Sequence, residues 1–387
     1  MIVRPRNLPH RLPWAVATVL AFVLVQACDL FRSSPHDPGG VSVRWKYSGA
    51  GAAGELYADS TLVVFYPPSG RTVSAVDAIT GKLRWRRDLP IPSIVPTGAL
   101  PMRAPVAAGS VVVIPGWDLY GLDRATGDIK WTLQNDELPA FETVLADGAV
   151  YSAGLVRVYR VDPVSGAVAW QAQVGEWSDT ILERPFAPVF ADSVVYVVTS
   201  VVGSVPLGSR IGHVIALKAS DGSTLWRFEI PEAPPFNGGA IDPGIVAGDV
   251  FIVGTDNGRV YGLDRATGTV RWVHQGSQPY EAGVVMLDGV AITGNLDGHV
   301  EGMDPSSGQL LWSTEFASSV SNRIVTGVGA ALVSRGRLEA YDARGRETWG
   351  HGGAAWGGPV YLSAASAFGR SVYVGDPSAL YALTPPR

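Results

Sequence analysis

Cysteine is almost absent from this chain of 387 residues: the single example is Cys28. One cysteine excludes an internal disulfide and a vicinal cysteine pair, and it removes the cysteine clusters that hold structural zinc. The six histidines do not supply a substitute, because none forms a close pair at metal-ligand spacing. We therefore expect no metal site.

Charge is also scarce, at 17% of residues with a formal net charge of −5. No basic stripe is present, which argues against a nucleic-acid partner. A Gly-x-Ser-x-Gly nucleophile motif and a paired-carboxylate signal are missing too. With 47% hydrophobic residues the chain can bury a large core. We therefore predict a folded protein that is not an enzyme and has no cofactor.

The first 27 residues have the pattern of a secretory signal, with a basic start, an apolar run over 14–25 and a small residue before Cys28. This segment resembles a bacterial lipoprotein signal. The resemblance implies cleavage before Cys28 and lipidation of that cysteine. An uncleaved membrane anchor is the alternative, although the run is short for a span of about 20 residues.

Three segments are therefore predicted: a signal peptide over 1–27, a flexible tether over 28–40 and a folded domain over 41–387. Asp29 directly follows the lipidated position. The predicted location is the periplasmic side of the outer membrane. Because an aspartate at this position favours inner-membrane retention in some bacteria, inner-membrane retention is the alternative.

One frame recurs along the folded domain: a small residue, Asp two positions later, then Thr-Gly, then Trp. It is clearest at 75–85, 121–131 and 262–272. The residues before the Asp favour a strand, Asp and Gly favour a turn, and a second strand ends in Trp. Each copy is therefore a β-hairpin. We expect the small residue to leave room for a Trp from a neighbouring unit. The structural tryptophans are Trp45, Trp85, Trp131, Trp170, Trp226, Trp272, Trp312 and Trp349.

A repeat of roughly 40 residues built from short strands predicts a β-propeller of four-stranded blades. The last copy stops before its final strand, and the segment 41–45 near the start is a strand ending in Trp without a hairpin. Pairing the two closes a ring and removes two open edges. The predicted fold is an all-β, eight-bladed propeller whose eighth blade is shared between the termini.

The Ala-x-Asp-x-x-Thr-Gly-x-x-x-Trp frame resembles the PQQ-like repeat over nearly all of 41–387. The name of that repeat does not imply bound quinone. Quinone-dependent dehydrogenases of this fold use a vicinal cysteine pair, which this chain lacks.

Loop lengths differ between the two faces of such a ring. The turns between first and second strands and the Thr-Gly turns share one face and are short. The turns between second and third strands and the blade connections share the other face, and all the long, apolar connections of the chain belong to this set. Because function usually lies on such loops, we predict that this long-loop face binds partners. Packing of these loops over the channel is the alternative. The candidate residues are Ile91, Ile94, Leu100, Met102, Trp177, Phe236, Glu281 and Trp356, of which we expect Ile91, Ile94, Leu100 and Met102 to be exposed.

A lipoprotein of this size with eight PQQ-like blades resembles the BamB family, whose members are scaffolds of the machinery that assembles β-barrel proteins in the outer membrane. The resemblance implies a protein partner such as the POTRA domains of a BamA-like subunit. The family's docking loops correspond to 236–241 and 279–281. Phe236 is apolar there, but no Arg follows it, and Glu281 is the one acidic residue of the second loop. An accessory subunit of another membrane complex, for example in electron transfer, and a quinone- or ligand-binding enzyme are the alternatives.

Overall fold

The computed structural model describes residues 41–48, 56–66, 71–91, 104–134, 142–178, 182–202, 211–233, 236, 238–240, 242–315, 324–327, 329–334, 338–351, 367–368, 370–375 and 379–386. Within these ranges the secondary structure is strand and turn, without a helix. No helix in this part of the chain is long and apolar enough to cross a membrane. The predicted signal and tether lie outside the described residues.

The strands form eight antiparallel sheets that follow one another along the chain. The first three are β2 Leu56–Ala58, β3 Leu62–Phe65, β4 Thr72–Asp77 and β5 Leu83–Asp88; β6 Val106–Ala108, β7 Val111–Pro115, β8 Leu119–Asp123 and β9 Ile129–Leu133; and β10 Glu142–Ala146, β11 Ala149–Ala153, β12 Arg157–Val161 and β13 Val168–Gln173. The next two are β14 Leu182–Pro185, β15 Val189–Ala191, β16 Val194–Val202, β17 Gly212–Lys218 and β18 Thr224–Ile230; and β19 Ile245–Ala247, β20 Val250–Gly254, β21 Arg259–Asp264 and β22 Val270–Gln275.

The remaining three sheets are β23 Val284–Leu287, β24 Val290–Gly294, β25 His299–Met303 and β26 Leu310–Glu315; β27 Val325–Gly327, β28 Ala330–Ser334, β29 Leu338–Tyr341 and β30 Glu347–His351; and β31 Ala367–Phe368, β32 Ser371–Gly375 and β33 Leu380–Thr384 with β1 Ser42–Tyr47. In the last sheet β1 pairs with β33, Ser42 opposite Thr384. The predicted eight-bladed fold and its closure by the N-terminal strand are confirmed.

The hydrophobic core lies between the blades. Eight clusters of buried residues each combine side chains from two neighbouring blades, and each includes one frame Trp. For example, Trp272 packs with Val250 and Ile252 of its own blade and with Met303 of the next. Every blade is therefore stabilised on both faces by its neighbours.

Seven frame tryptophans donate their indole N–H to a backbone oxygen in the Thr-Gly turn of the following blade. Trp226, for instance, reaches the carbonyl of Arg265 at 2.8 Å. The other six bonds join Trp45 to Ala78, Trp85 to Arg124, Trp131 to Pro163, Trp170 to Ala219, Trp272 to Pro305 and Trp312 to Ala343. A buried indole N–H needs such a partner, so these bonds fix how far each blade approaches the next.

The small residue of the frame has a different role from the one expected. Gly262 lies opposite Trp272 of its own hairpin, and a Cβ there would be 2.1 Å from that indole. The preceding blade's Trp226 instead covers Gly268 of the turn, where a Cβ would be 2.5 Å away. The expectation of a neighbour's Trp over the small residue was wrong, because the hairpin register places the residue directly across from its own Trp.

The frame Asp holds the turn. Oδ1 of Asp264 accepts the N–H groups of Ala266 and Thr267, each at 3.0 Å, and Oδ2 binds Arg271. Hydrogen bonds from Arg271 and Thr267 outweigh the small effect of burial and lower the pKa of Asp264 to about 2. Each such Asp is an ionised turn residue.

Blade four departs from the repeat. The nine-residue strand β16 pairs with β15 along its first half and with β14 along its second half. The inner edge of this blade is thus built from two short strands. β16 extends to Val202 and is the longest strand of this blade.

Candidate functional site

The two faces of the ring are distinguished by their turn contacts. On one face, the turn between first and second strands bonds to the Thr-Gly turn, as in the N–H of Ala78 to the carbonyl of Thr61. On the other, the turn between second and third strands bonds to the blade connection, as in Leu89 to Arg71. The second face is the long-loop face, and blades four to six supply most of its described residues.

The connection from blade four to blade five is hydrogen-bonded to the backbone of both blades. Gly239 forms a bridge with Ser200, the N–H of Ala240 bonds to Thr199, and the N–H of Asp256 bonds to Gly239. Gly239 has φ 141°, and a Cβ on it would meet the Ser200 hydroxyl at 2.7 Å. Residues 238–240 are buried, so this part of the predicted docking loop is not a free surface. Phe236 remains partly exposed beside it.

Three carboxyl groups influence one another where this connection meets blade five and the connection to blade six. Oδ2 of Asp256 accepts the Ser200 hydroxyl at 3.0 Å, while its Oδ1 is buried without a hydrogen-bond partner. Burial, with the charges of Glu281 and Asp242, outweighs that hydrogen bond and raises the pKa of Asp256 to about 6. Burial and Asp242 also raise the pKa of Glu281. We call Asp242, Asp256 and Glu281 the acidic cluster.

Tyr280 fixes the position of Glu281. Its ring is fully buried, its N–H bonds to the carbonyl of Thr255, and its hydroxyl donates to Glu301 Oε2 at 2.6 Å. Burial by itself would raise the pKa of Glu301, but hydrogen bonds from His274 and Tyr280 outweigh it and lower that pKa. Glu281 is thus presented at the surface by a rigid neighbour.

Trp177 adds an apolar side chain to the same face. It lies in the connection from blade three to blade four, is 59% exposed, and bridges to Leu182. Paired backbone bonds between Glu176 and Glu183 hold this short hairpin. An exposed aromatic next to ordered backbone is typical of an anchor for a protein partner.

The other predicted partner residues fare differently. Ile91 is only 8% exposed and packs in the core between blades one and two, with its carbonyl accepting a bond from Arg71. The expectation that it is exposed was wrong, because the connection folds back over Leu89. Ile94, Leu100, Met102, Trp356 and the lipidation candidate Cys28 lie outside the described residues.

Asp242 and Asp256 were not among the predicted site residues. In the sequence, Asp256 belongs to an Asp-Asn-Gly turn and Asp242 precedes a proline, so both have ordinary turn explanations. The electrostatic repulsion between these carboxyl groups arises because the fold brings together residues that are distant in the chain. Within the described ranges, no three His, Cys, Asp or Glu side chains are grouped so as to hold a metal ion.

Eight antiparallel blades that pack on one another through frame tryptophans define a β-propeller of PQQ-like repeats. A family model described as outer membrane protein assembly factor BamB matches residues 36–200 and 154–336. The chain belongs to this family.

Comparisons with individual proteins agree. BamB of Yersinia pestis is 27% identical over 215 residues, which cover 52% of this chain and 48% of that protein. The chain thus matches about half the length of this curated relative. The crystal structure of BamB from Moraxella catarrhalis superposes with a TM-score of 0.60 at 17% identity, covering 89% of this chain and 91% of that one.

The same architecture occurs in enzymes. A quinohemoprotein alcohol dehydrogenase of Pseudomonas putida HK5 superposes with a TM-score of 0.69 at 13% identity, covering 92% of this chain and 79% of that one. This likeness shows the fold alone.

Proposed function

We propose that this protein is a non-enzymatic lipoprotein scaffold of outer-membrane protein assembly, anchored through Cys28 and binding a protein partner with its long-loop face. The partner in this proposal is the periplasmic part of a BamA-like subunit, such as its POTRA domains. Membership of the BamB family supports the assembly role. The observation that carries the binding site is the acidic cluster, on the long-loop face that also bears the partly exposed Phe236 and the exposed Trp177.

The chemistry of the cluster selects the partner's side chains. Asp256 has a buried oxygen without a hydrogen-bond partner, and the mutual repulsion of the three carboxyl groups is relieved by a cation. An arginine or lysine of the partner would pair with the Glu281 carboxylate at the surface and would lower the repulsion that Asp256 feels from it. Phe236 and Trp177 would supply apolar contacts around it.

The test is an affinity purification of the protein from membranes, followed by mass spectrometry. We expect the wild type to recover a barrel-assembly subunit with POTRA repeats. A double variant, Asp242→Asn with Glu281→Gln, removes two charges at nearly constant shape, and we expect recovery to fall about tenfold, which corresponds to about 1.4 kcal/mol. Recovery should also fall as salt rises.

Asp128→Asn is the matched control. That carboxyl lies in the Thr-Gly turn of blade two, 65% exposed and paired with Arg87, on the opposite face. Its loss should leave recovery unchanged. Capture of a different membrane complex by the wild type would replace the assembly role by an accessory-subunit role. Purified protein that carries quinone and oxidises an alcohol would overturn the non-enzymatic part.

A further inference from the structure

The strand that closes the ring also fixes where the preceding chain enters it. β1 is antiparallel to β33, with Ser42 opposite Thr384 and Tyr47 opposite Leu380. β33 is the third strand of its blade and ends at the face of the Thr-Gly turns, so β1 begins at that face. The bond from Trp45 to Ala78, in a Thr-Gly turn of blade one, agrees with this direction. Val41 therefore lies at the rim of the short-turn face.

Twelve residues, 29–40, separate Cys28 from Val41. Fully extended, this length of chain spans about 45 Å, and a flexible chain of this length has a mean end-to-end distance of about 20 Å. The two faces of the ring are separated by strands of five or six residues, or about 20 Å, plus the loops. A lipid on Cys28 would therefore hold the short-turn face nearer to the bilayer than the long-loop face.

The basic side chains of the short-turn face are largely paired with its carboxylates, so this face has little tendency to adhere to an anionic bilayer. Arg265 pairs with Asp192 and Arg271 with Asp249, while Arg84, Lys130 and Arg346 pair with frame Asp residues. Anionic bilayers attract basic segments and repel carboxylates. The tether, and not surface adhesion, then determines the position of the ring.

We infer that the anchor holds the ring by its short-turn face, so that the long-loop face points away from the bilayer and takes a water-soluble, positively charged domain of an envelope protein as its partner. This inference rests on the proposed function and adds the orientation of the ring relative to the bilayer. The bilayer itself and the membrane-embedded part of a partner are excluded as occupants of the acidic cluster.

The test measures the distance of each face from the membrane in vesicles containing the full lipidated protein. A lipid on Cys28 blocks its thiol, so an introduced cysteine is the one reactive thiol of the chain. Ala266→Cys lies in the Thr-Gly turn of blade five and Ser277→Cys in its blade connection, both exposed. Val164→Cys and Trp177→Cys form an equivalent pair in and after blade three, 64% and 59% exposed. Each is labelled with a fluorescent donor, and energy transfer to an acceptor lipid is recorded.

We expect stronger transfer from both short-turn labels, with a difference in mean height of about 20 Å. Equal transfer, or stronger transfer from the long-loop labels, would overturn the orientation while leaving partner recovery intact. Protein that fails to float with vesicles would overturn the anchor and the orientation together.

A second readout concerns the partner. Coupling a large polymer to the cysteine at 277 should reduce partner recovery at least tenfold, whereas coupling at 266 should not change it. Loss of recovery from position 266 alone would place the partner on the membrane-facing side and overturn the inference.

Discussion

Asp256 is a carboxyl group whose ionised form is disfavoured by the fold. Its ordinary pKa is 3.8 and its folded pKa is about 6. Between these values the folded state keeps a proton that the unfolded state has released. The free energy of unfolding therefore falls as pH rises from about 4 to about 6, and the loss persists above pH 6.

Asp256→Asn should remove this loss. We expect the variant to be more stable than the wild type by about 2–3 kcal/mol at pH 7 and equal to it near pH 4. Urea unfolding at several pH values measures the difference. Glu301→Gln is a control of opposite sign, because the pKa of Glu301 is lowered and its charge stabilises the folded state at neutral pH. A pH-independent difference for Asp256→Asn would contradict the explanation.

A stabilising change at Asp256 bears on function. Residues that cost stability without a structural benefit are often retained for binding or catalysis. If the acidic cluster docks a cationic partner, Asp256→Asn should gain stability and lose affinity together. A gain in stability with full partner recovery would separate Asp256 from the docking surface.

The sequence predicted the hairpins correctly but not the packing of the blade connections, for a physical reason. The frame is local: Asp264, Gly268 and Trp272 lie within nine residues, and turn chemistry specifies them. Ile91 and Gly239 depend on what packs against them from another blade, so composition suggested an open loop where the structure has buried backbone. The charges that help to raise the pKa of Asp256 likewise come from residues in separate blade connections.

The Thr-Gly turn is the element that joins one blade to the next. Gly268 combines a left-handed backbone, φ 73°, with close contact to Trp226. Gly248 has φ 59° in a hairpin turn, with open space where a Cβ would lie. Both glycines adopt the left-handed backbone conformation, but of the two only Gly268 is covered by the indole ring of Trp226.

This pair separates backbone strain from blade docking. We expect Gly248→Ala to cost about 1 kcal/mol, the usual strain of a left-handed residue. Gly268→Ala adds a clash with Trp226 and should cost about 2–4 kcal/mol in total, as overpacking does. Chemical denaturation of both variants measures the difference. Equal costs would show that Trp226 moves aside freely and does not fix the spacing of the blades.

At the scale of the whole molecule, the ring is closed by one non-covalent pairing between the first and last strands. Seven junctions connect blades that are continuous in sequence, whereas the pairing of β1 with β33 joins residues more than 330 positions apart. Because closure orders the ends of the entire chain, its entropic cost is the largest of any contact in the fold. The eighth blade is therefore where unfolding should begin.

A disulfide across this pairing should stabilise the whole ring. Ser42 and Thr384 are direct partners near the rim, and both can be replaced by cysteine in a chain whose Cys28 is changed to serine. A loop of this length would give about 5–6 kcal/mol in the chain-entropy model, whereas disulfides typically contribute about 2–4 kcal/mol. We expect the oxidised variant to resist urea by that amount and the reduced variant to match the parent. If oxidation changed nothing, ring opening would not precede unfolding, and the blades would separate first at one of the tryptophan junctions between them.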